Sequence, residues 1–238
     1  MSLASARKMK SVAPVVYSML ASPDESLSSL AESVLGDFVG VDDIAKIGGL
    51  LDNSSSASQM NYQNALSSAL HTLSPTEKYS RIASLMSGAK NAFKFYKCLA
   101  DTGTDEAVED LAKAFKAGDK EAFLQLQRID NLKAAPYLLE AAKTAGKEEA
   151  EPILSQYIEL VKAHETDLDK KRLDLKEVLS LSDSPLVKKS ALLGLMQVPT
   201  MKSFLLADDY LLDSDKDVKY VAAKTVKAIA TTTKEEIN

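Results

Sequence analysis

Apolar residues recur along the chain with the period of a helix. Val218, Val221, Ala222, Thr225, Val226 and Ile229 fall at i, i+3, i+4, i+7, i+8 and i+11, one stripe on a helix, while Lys219, Lys224 and Lys227 lie off it. Tyr62, Ala65, Leu66, Ala69, Leu70 and Leu73 repeat the spacing, with Asn61, Asn64, Ser68 and His71 on the opposite side. No stretch sustains the alternation of a strand between hairpin turns. The pattern predicts an all-α chain.

Cap chemistry places the boundaries. In Ser22-Pro23-Asp24-Glu25 and Ser74-Pro75-Thr76-Glu77 a serine can accept from the N3 amide while the N3 glutamate reaches back, with proline at N1, where its missing donor is harmless. Ser184-Pro185 repeats the start without the glutamate. Gly118 and Gly146 follow alanines as C′ residues able to end a helix in the left-handed conformation. These signals predict about seven antiparallel pairs: 8–21 with 24–37, 41–52 with 56–72, 75–87 with 89–101, 104–117 with 119–129, 132–145 with 147–164, 169–181 with 184–198, and 199–212 with 215–231. Pro14, Pro136 and Pro152 should bend or delay their helices. The serine-rich stretch Asp52 to Ser58 reads as a turn.

The pairs resemble one another. Ala117-Gly118-x-x-Glu121-Ala122 overlies Ala145-Gly146-x-x-Glu149-Ala150 at an offset of 28, and Val187-Lys188 with Ala191, Leu195 and Val198 overlies Val218-Lys219 with Ala222, Val226 and Ile229 at an offset of 31. A unit of about thirty residues recurs. The segment Leu211 to Ala223, with a leucine-rich first helix, the acidic turn Asp213-Ser214-Asp215-Lys216-Asp217, then Val218-Lys219 and a small residue four positions after the valine, resembles the HEAT-repeat pattern. Val178 to Val198 resembles it too, and Leu20 to Phe38 more loosely; residues 41–101 keep the helical period without the signature. The resemblance implies a right-handed α-α superhelix, an α-solenoid in which each pair buries its stripe against its neighbours. One domain over 1–238 is expected, a segment of a longer protein with open ends, and Met1-Ser2-Leu3 reads as a vector-derived leader.

Composition narrows the function. The 238 residues are 45% hydrophobic and 26% charged, and 29 Lys and Arg against 34 Asp and Glu give a net charge of −5, which argues against a nucleic-acid partner. One cysteine forms no internal disulfide, and with two histidines it offers no zinc cage. No apolar run is long enough to span a bilayer and no signal segment follows Met1 to Lys10, so no membrane insertion is expected and the compartment stays open. No cofactor is predicted, because nucleotide loops and nucleophile elbows are missing.

Individual residues offer little chemistry. Asp213 to Asp217 has a calcium loop's alternating acids, but Val218 and Lys224 occupy the positions that need glycine and glutamate, so the acids read as caps. Lys90, Lys94 and Lys97, beside Phe93, Phe95 and Tyr96, read as a solvated lysine face over a buried aromatic stripe. Cys98 reads as a small buried hydrophobe. The neutral stripe Asn61, Asn64, Ser68 and His71, on a second helix, is cheap to desolvate and suits a partner. With Lys188, Lys219 and Lys227 it forms the predicted binding surface of a non-enzymatic scaffold for a protein partner or a neighbouring domain of the same chain. The alternatives are a HEAT-like enzyme, either DNA glycosylase-like or pigment lyase-like, and an accessory module of a large exported sugar-active protein. The absence of tryptophan and the four arginines depart from a glycosylase at its functional residues.

Overall fold

The computed structural model describes residues 10–237, with side chains over 11–232. The expected leader Met1-Ser2-Leu3 and the first two residues of the helix expected at 8–21 lie outside them. Helices and turns account for the described residues, without a strand.

The helices follow as α1 (Ala13–Leu20) and α2 (Glu25–Val34), α3 (Ile44–Asp52) and α4 (Gln59–Leu70), α5 (Pro75–Gly88) and α6 (Tyr96–Ala100), α7 (Asp105–Lys116) and α8 (Lys120–Leu126), α9 (Ala135–Thr144) and α10 (Lys147–His164), α11 (Leu168–Leu181) and α12 (Pro185–Leu195), and α13 (Met201–Asp208) and α14 (Lys216–Ile237). Several predicted helices open or close in a short 3-10 turn, at Leu35–Asp37, Val41–Asp43, Ala92–Phe95 and Leu132–Ala134. These tighter turns rotate their residues away from the α-helical face on which a 3.6-residue period would put them.

Two compact units divide the chain, one reaching to Gln125 and the other starting at Leu126. In the first, α1 packs on α2 and α3 on α4, and α4 touches both α2 and α6. Its core holds Leu35, Phe38, Ile47, Leu66, Phe95 and Leu99, all essentially without solvent contact. Phe115 and Phe123 stack between α7 and α8 with ring centroids 4.6 Å apart. In the second unit α9 packs on α10, α11 on α12 and α13 on α14, while α10, α12 and α14 pack one against the next. Leu138, Ile158, Leu175, Leu195 and Val218 form its core.

Several side-chain hydrogen bonds inside each unit join residues 30 to 33 apart, among others that span 23 to 42. Tyr62 Oη donates to Glu32 (3.0 Å), Gln63 Nε2 to the Lys94 carbonyl (2.7 Å) and Tyr79 Oη to Asp110 (3.0 Å), partners 30, 31 and 31 residues apart. In the second unit Tyr210 Oη donates to the Leu179 carbonyl (3.3 Å) and Thr225 Oγ1 to the Leu192 carbonyl (3.2 Å), 31 and 33 residues apart.

Local signals divide into those the structure keeps and those it moves. Ser74 and Glu77 form the reciprocal capping box, Ser184 caps α12 with Pro185 behind it, and Gly118 turns at φ +95°. The Ser22 cap is corrected. Asp24 caps α2, its carboxylate accepting from the Ser26 and Leu27 amides (2.9 and 3.3 Å), while Ser22 Oγ accepts only from the Asp24 amide. A carboxylate that reaches two amides outcompetes a hydroxyl that reaches one. Gly146 is corrected as well: it is extended, at φ −65° and ψ 159°, directly before α10. Extended Ala145 already carries the chain out of α9, so no left-handed residue is needed. Pro14 and Pro136 fall in first helical turns, whereas Pro152 lies inside α10, which continues through it.

Candidate functional site

α4 carries the polar stripe. Its apolar residues Tyr62, Ala65, Leu66, Ala69 and Leu70 are buried, which turns Asn64 and Ser68 outward and leaves Asn61 half-buried. His71 follows at the C-cap, also exposed. Among the described residues none of these four side chains has a hydrogen-bond partner, so their donors and acceptors are met by solvent.

Two of the four share a cleft of about 270 Å³, with Ser68 and His71 on one wall and Gly36, Asp37 and Val41 on the other. Gly36 makes the approach possible. A Cβ there would sit 3.2 Å from Ser68 Oγ and 3.5 Å from the Ala65 Cα. The cleft lies where both the 35–37 turn and α4 end, and helix C-termini present carbonyls that favour donors and cations. The His71 amide donates to the Ser68 carbonyl (3.3 Å) but their side chains do not bond to each other, and Asn61 and Asn64 stand outside this cleft. The arrangement offers hydroxyl, imidazole and carbonyl groups for hydrogen bonding.

The predicted lysines belong to the second unit, the stripe to the first. Lys188 Nζ binds Asp213 at 2.9 Å with both side chains largely covered, and it stands 5.9 Å from the Tyr210 ring centroid. That ammonium is committed within the fold. The hydrogen bond to Asp213 raises the Lys188 pKa, and the Asp215 amide and then Lys188 hold the Asp213 carboxyl below its usual range. Lys219 and Lys227 remain exposed. The acidic turn caps α14: Asp213 accepts from the Asp215 amide at 2.9 Å, and Asp215 from the Asp217 and Val218 amides at 2.9 and 3.0 Å.

The solvated lysine face is corrected at its centre. Lys94 is buried and donates to the Asp52 and Ser54 carbonyls at 2.8 and 2.6 Å, Lys97 pairs with Asp101 at 2.7 Å, and Lys90 is exposed. Phe95 and Tyr96 are buried beside it, whereas Phe93 is exposed. Cys98 is buried against the Gln63 carbonyl, and burial pushes its thiol up to about 11. At neutral pH it stays protonated and a poor nucleophile.

A second groove, of about 480 Å³, lies between α10 and α12, the second helices of their pairs, with Ser155, Gln156 and Glu159 facing Leu186 and Ser190. Leu186 is 55% exposed. Ser155 lies one 31-residue step before Leu186, and Glu159 one step before Ser190; extending the sequence offset along these helices would have found the groove. No family model, curated protein or solved structure matches the chain.

Proposed function

We propose that this chain is a non-enzymatic helical-repeat scaffold, a HEAT-like α-solenoid of about seven antiparallel pairs, that holds a protein partner or a neighbouring domain through its second helices. The observation that carries the reading is the recurrence of side-chain hydrogen bonds between residues one repeat apart within each unit. Stacking of like helices on like produces such a step, because each second helix meets its counterpart in the next pair. Within each unit neighbouring second helices lie side by side, with neutral amides and hydroxyls on α4 in the first and serine, glutamine and glutamate on α10 and α12 in the second. Such groups favour a protein partner over a polyanion.

The test uses the full chain as bait, with a variant carrying Asn64→Arg, Ser68→Arg and His71→Asp, all on exposed positions. A partner retained by the wild type and lost from the variant, at unchanged melting temperature, supports the reading. A partner captured equally by both removes the α4 surface from it, and turnover of a ligand by the purified chain overturns the non-enzymatic assignment.

A further inference from the structure

We propose that the groove between α11 and α13 docks a short partner peptide whose residues run acidic, apolar, basic along its length. Both are first helices of their pairs, so this surface is independent of the second-helix reading. Two contacts of α11 with residues flanking α13, Gln197 before it and Tyr210 after it, set their direction. Lys171 Nζ donates to Gln197 Oε1 (3.0 Å) near the two helix starts, and Tyr210 Oη donates to the Leu179 carbonyl (3.3 Å) near the two ends. The helices therefore run parallel, start beside start, and enclose a groove of about 490 Å³.

Charge is sorted along that groove. Arg172 and Lys202 stand at its beginning, Lys176 one turn further along, and Asp208 and Asp209 at its end, with Leu205 and Leu206 between. Helix electrostatics does not explain this order. α13 carries a lysine and no acid in its first turn, and an aspartate and no base in its last, both against its dipole. Ion pairing does not explain it either, because among the described residues Lys176, Lys202, Asp208 and Asp209 have no salt-bridge partner. Arg172 is largely covered, its side chain 11% exposed, yet its Nε has no acceptor and its one ion pair, to Asp169, is 3.3 Å long. Leu205 is 57% exposed.

Charges held against the dipole and left unpaired are complementary to something outside the fold. A simple anion or a nucleic acid would satisfy the basic end but be repelled by Asp208 and Asp209. A peptide with a carboxylate at Arg172 and Lys202, an apolar side chain on Leu205 and a basic group at the two aspartates satisfies all three parts. The eight residues of α13 span about 12 Å, which about four residues of extended peptide would cover.

Fluorescence anisotropy with three labelled hexapeptides, termini blocked, tests this on the full chain. One has two glutamates, two leucines and two lysines in that order, the second is its reverse, and the third has the same composition with alternating charges. One of the first two should bind about tenfold or more tighter than the third, and the Lys202→Glu variant should lose that binding while its melting temperature rises by about 1–4 °C, since the new charge suits the helix N-terminus. Asp208→Lys with Asp209→Lys should also lose it. Equal binding of the three peptides, no saturable binding below millimolar concentration, displacement by inorganic phosphate, or a lowered melting temperature in Lys202→Glu would each overturn the proposal.

Discussion

Lys94 is buried because its ammonium completes the end of another helix. α3 leaves carbonyls without intrahelical partners, and Lys94 Nζ meets those of Asp52 and Ser54, a positive charge at the negative end of a dipole. Gln63 meets the Lys94 carbonyl in turn, and the Asp52 carboxylate accepts the Lys90 and Asn91 amides at 3.1 and 2.8 Å, which hold it below its usual range. Replacing Lys94 by methionine keeps the hydrocarbon stem but leaves the half-buried Ser54 carbonyl without its donor and the Asp52 carbonyl with Asn91 Nδ2 alone, so we expect a loss of about 1.5–3 kcal/mol. Lys97→Met removes only a partly exposed pair and should cost under about 1 kcal/mol. Urea denaturation of both variants checks the difference; equal midpoints would remove the capping role. None of this was legible locally. Helical spacing assigns Lys90, Lys94 and Lys97 to solvent together, and neither the 3-10 turn that swings Lys94 inward nor the carbonyls some forty residues away leave a mark in its neighbourhood.

At the scale of elements, two glycines inside helices show when packing overrides propensity. Gly49 in α3 has nothing within 4 Å of its missing Cβ. Gly49→Ala should therefore stabilise by about 1 kcal/mol through helix propensity alone. Gly194 in α12 lies under Leu175, whose methyls would be 2.9 and 3.1 Å from a new Cβ, and Lys162 Cγ would be 3.3 Å away. Leu175 has no exposed surface into which to move. Overpacking of about 1–3 kcal/mol should outweigh the propensity gain, so thermal melts of the two alanine variants should shift in opposite directions. The turn before α14 gives a pH signature. Asp213 has a depressed pKa in the fold, so its contribution is complete above the unfolded carboxylate value of about 3.9 and is lost as pH falls through the lower folded value. Asp213→Asn should lower the urea midpoint at neutral pH and flatten its decline between about pH 4 and pH 2; a decline parallel to the wild type would contradict the hold of the Asp215 amide and Lys188 on this carboxylate. Elements were the legible scale. Helix α10 keeps its predicted bounds and the Ser74 and Ser184 starts hold, because those signals lie within a few residues of the boundary they set. The cap at Asp24 was missed where two acceptors stood side by side and only backbone geometry chose between them. Asn64, Ser68 and His71 of the α4 stripe were legible as exposed polar residues, half-buried Asn61 was not, and the cleft at its end depends on Gly36, distant in sequence.

At the scale of the whole molecule, each unit closes its own core, and within each several side-chain bonds span about one repeat step. If stability is a sum over adjacent interfaces, damage at one interface should stay near it. Val218 is fully buried in α14 and packs in the second unit, so Val218→Ala should cost about 2 kcal/mol there. Hydrogen exchange should then accelerate for amides of α12 and α14, while those of α4 and α6 keep the protection they have in the wild type. The charge of the lost group does not enter, because valine and alanine differ only in apolar volume, so the pattern of acceleration reports how far packing free energy is shared. Exchange that rises in step across all four helices would mean that the chain opens as one cooperative globule, and the repeat-by-repeat account of its stability would fall with it.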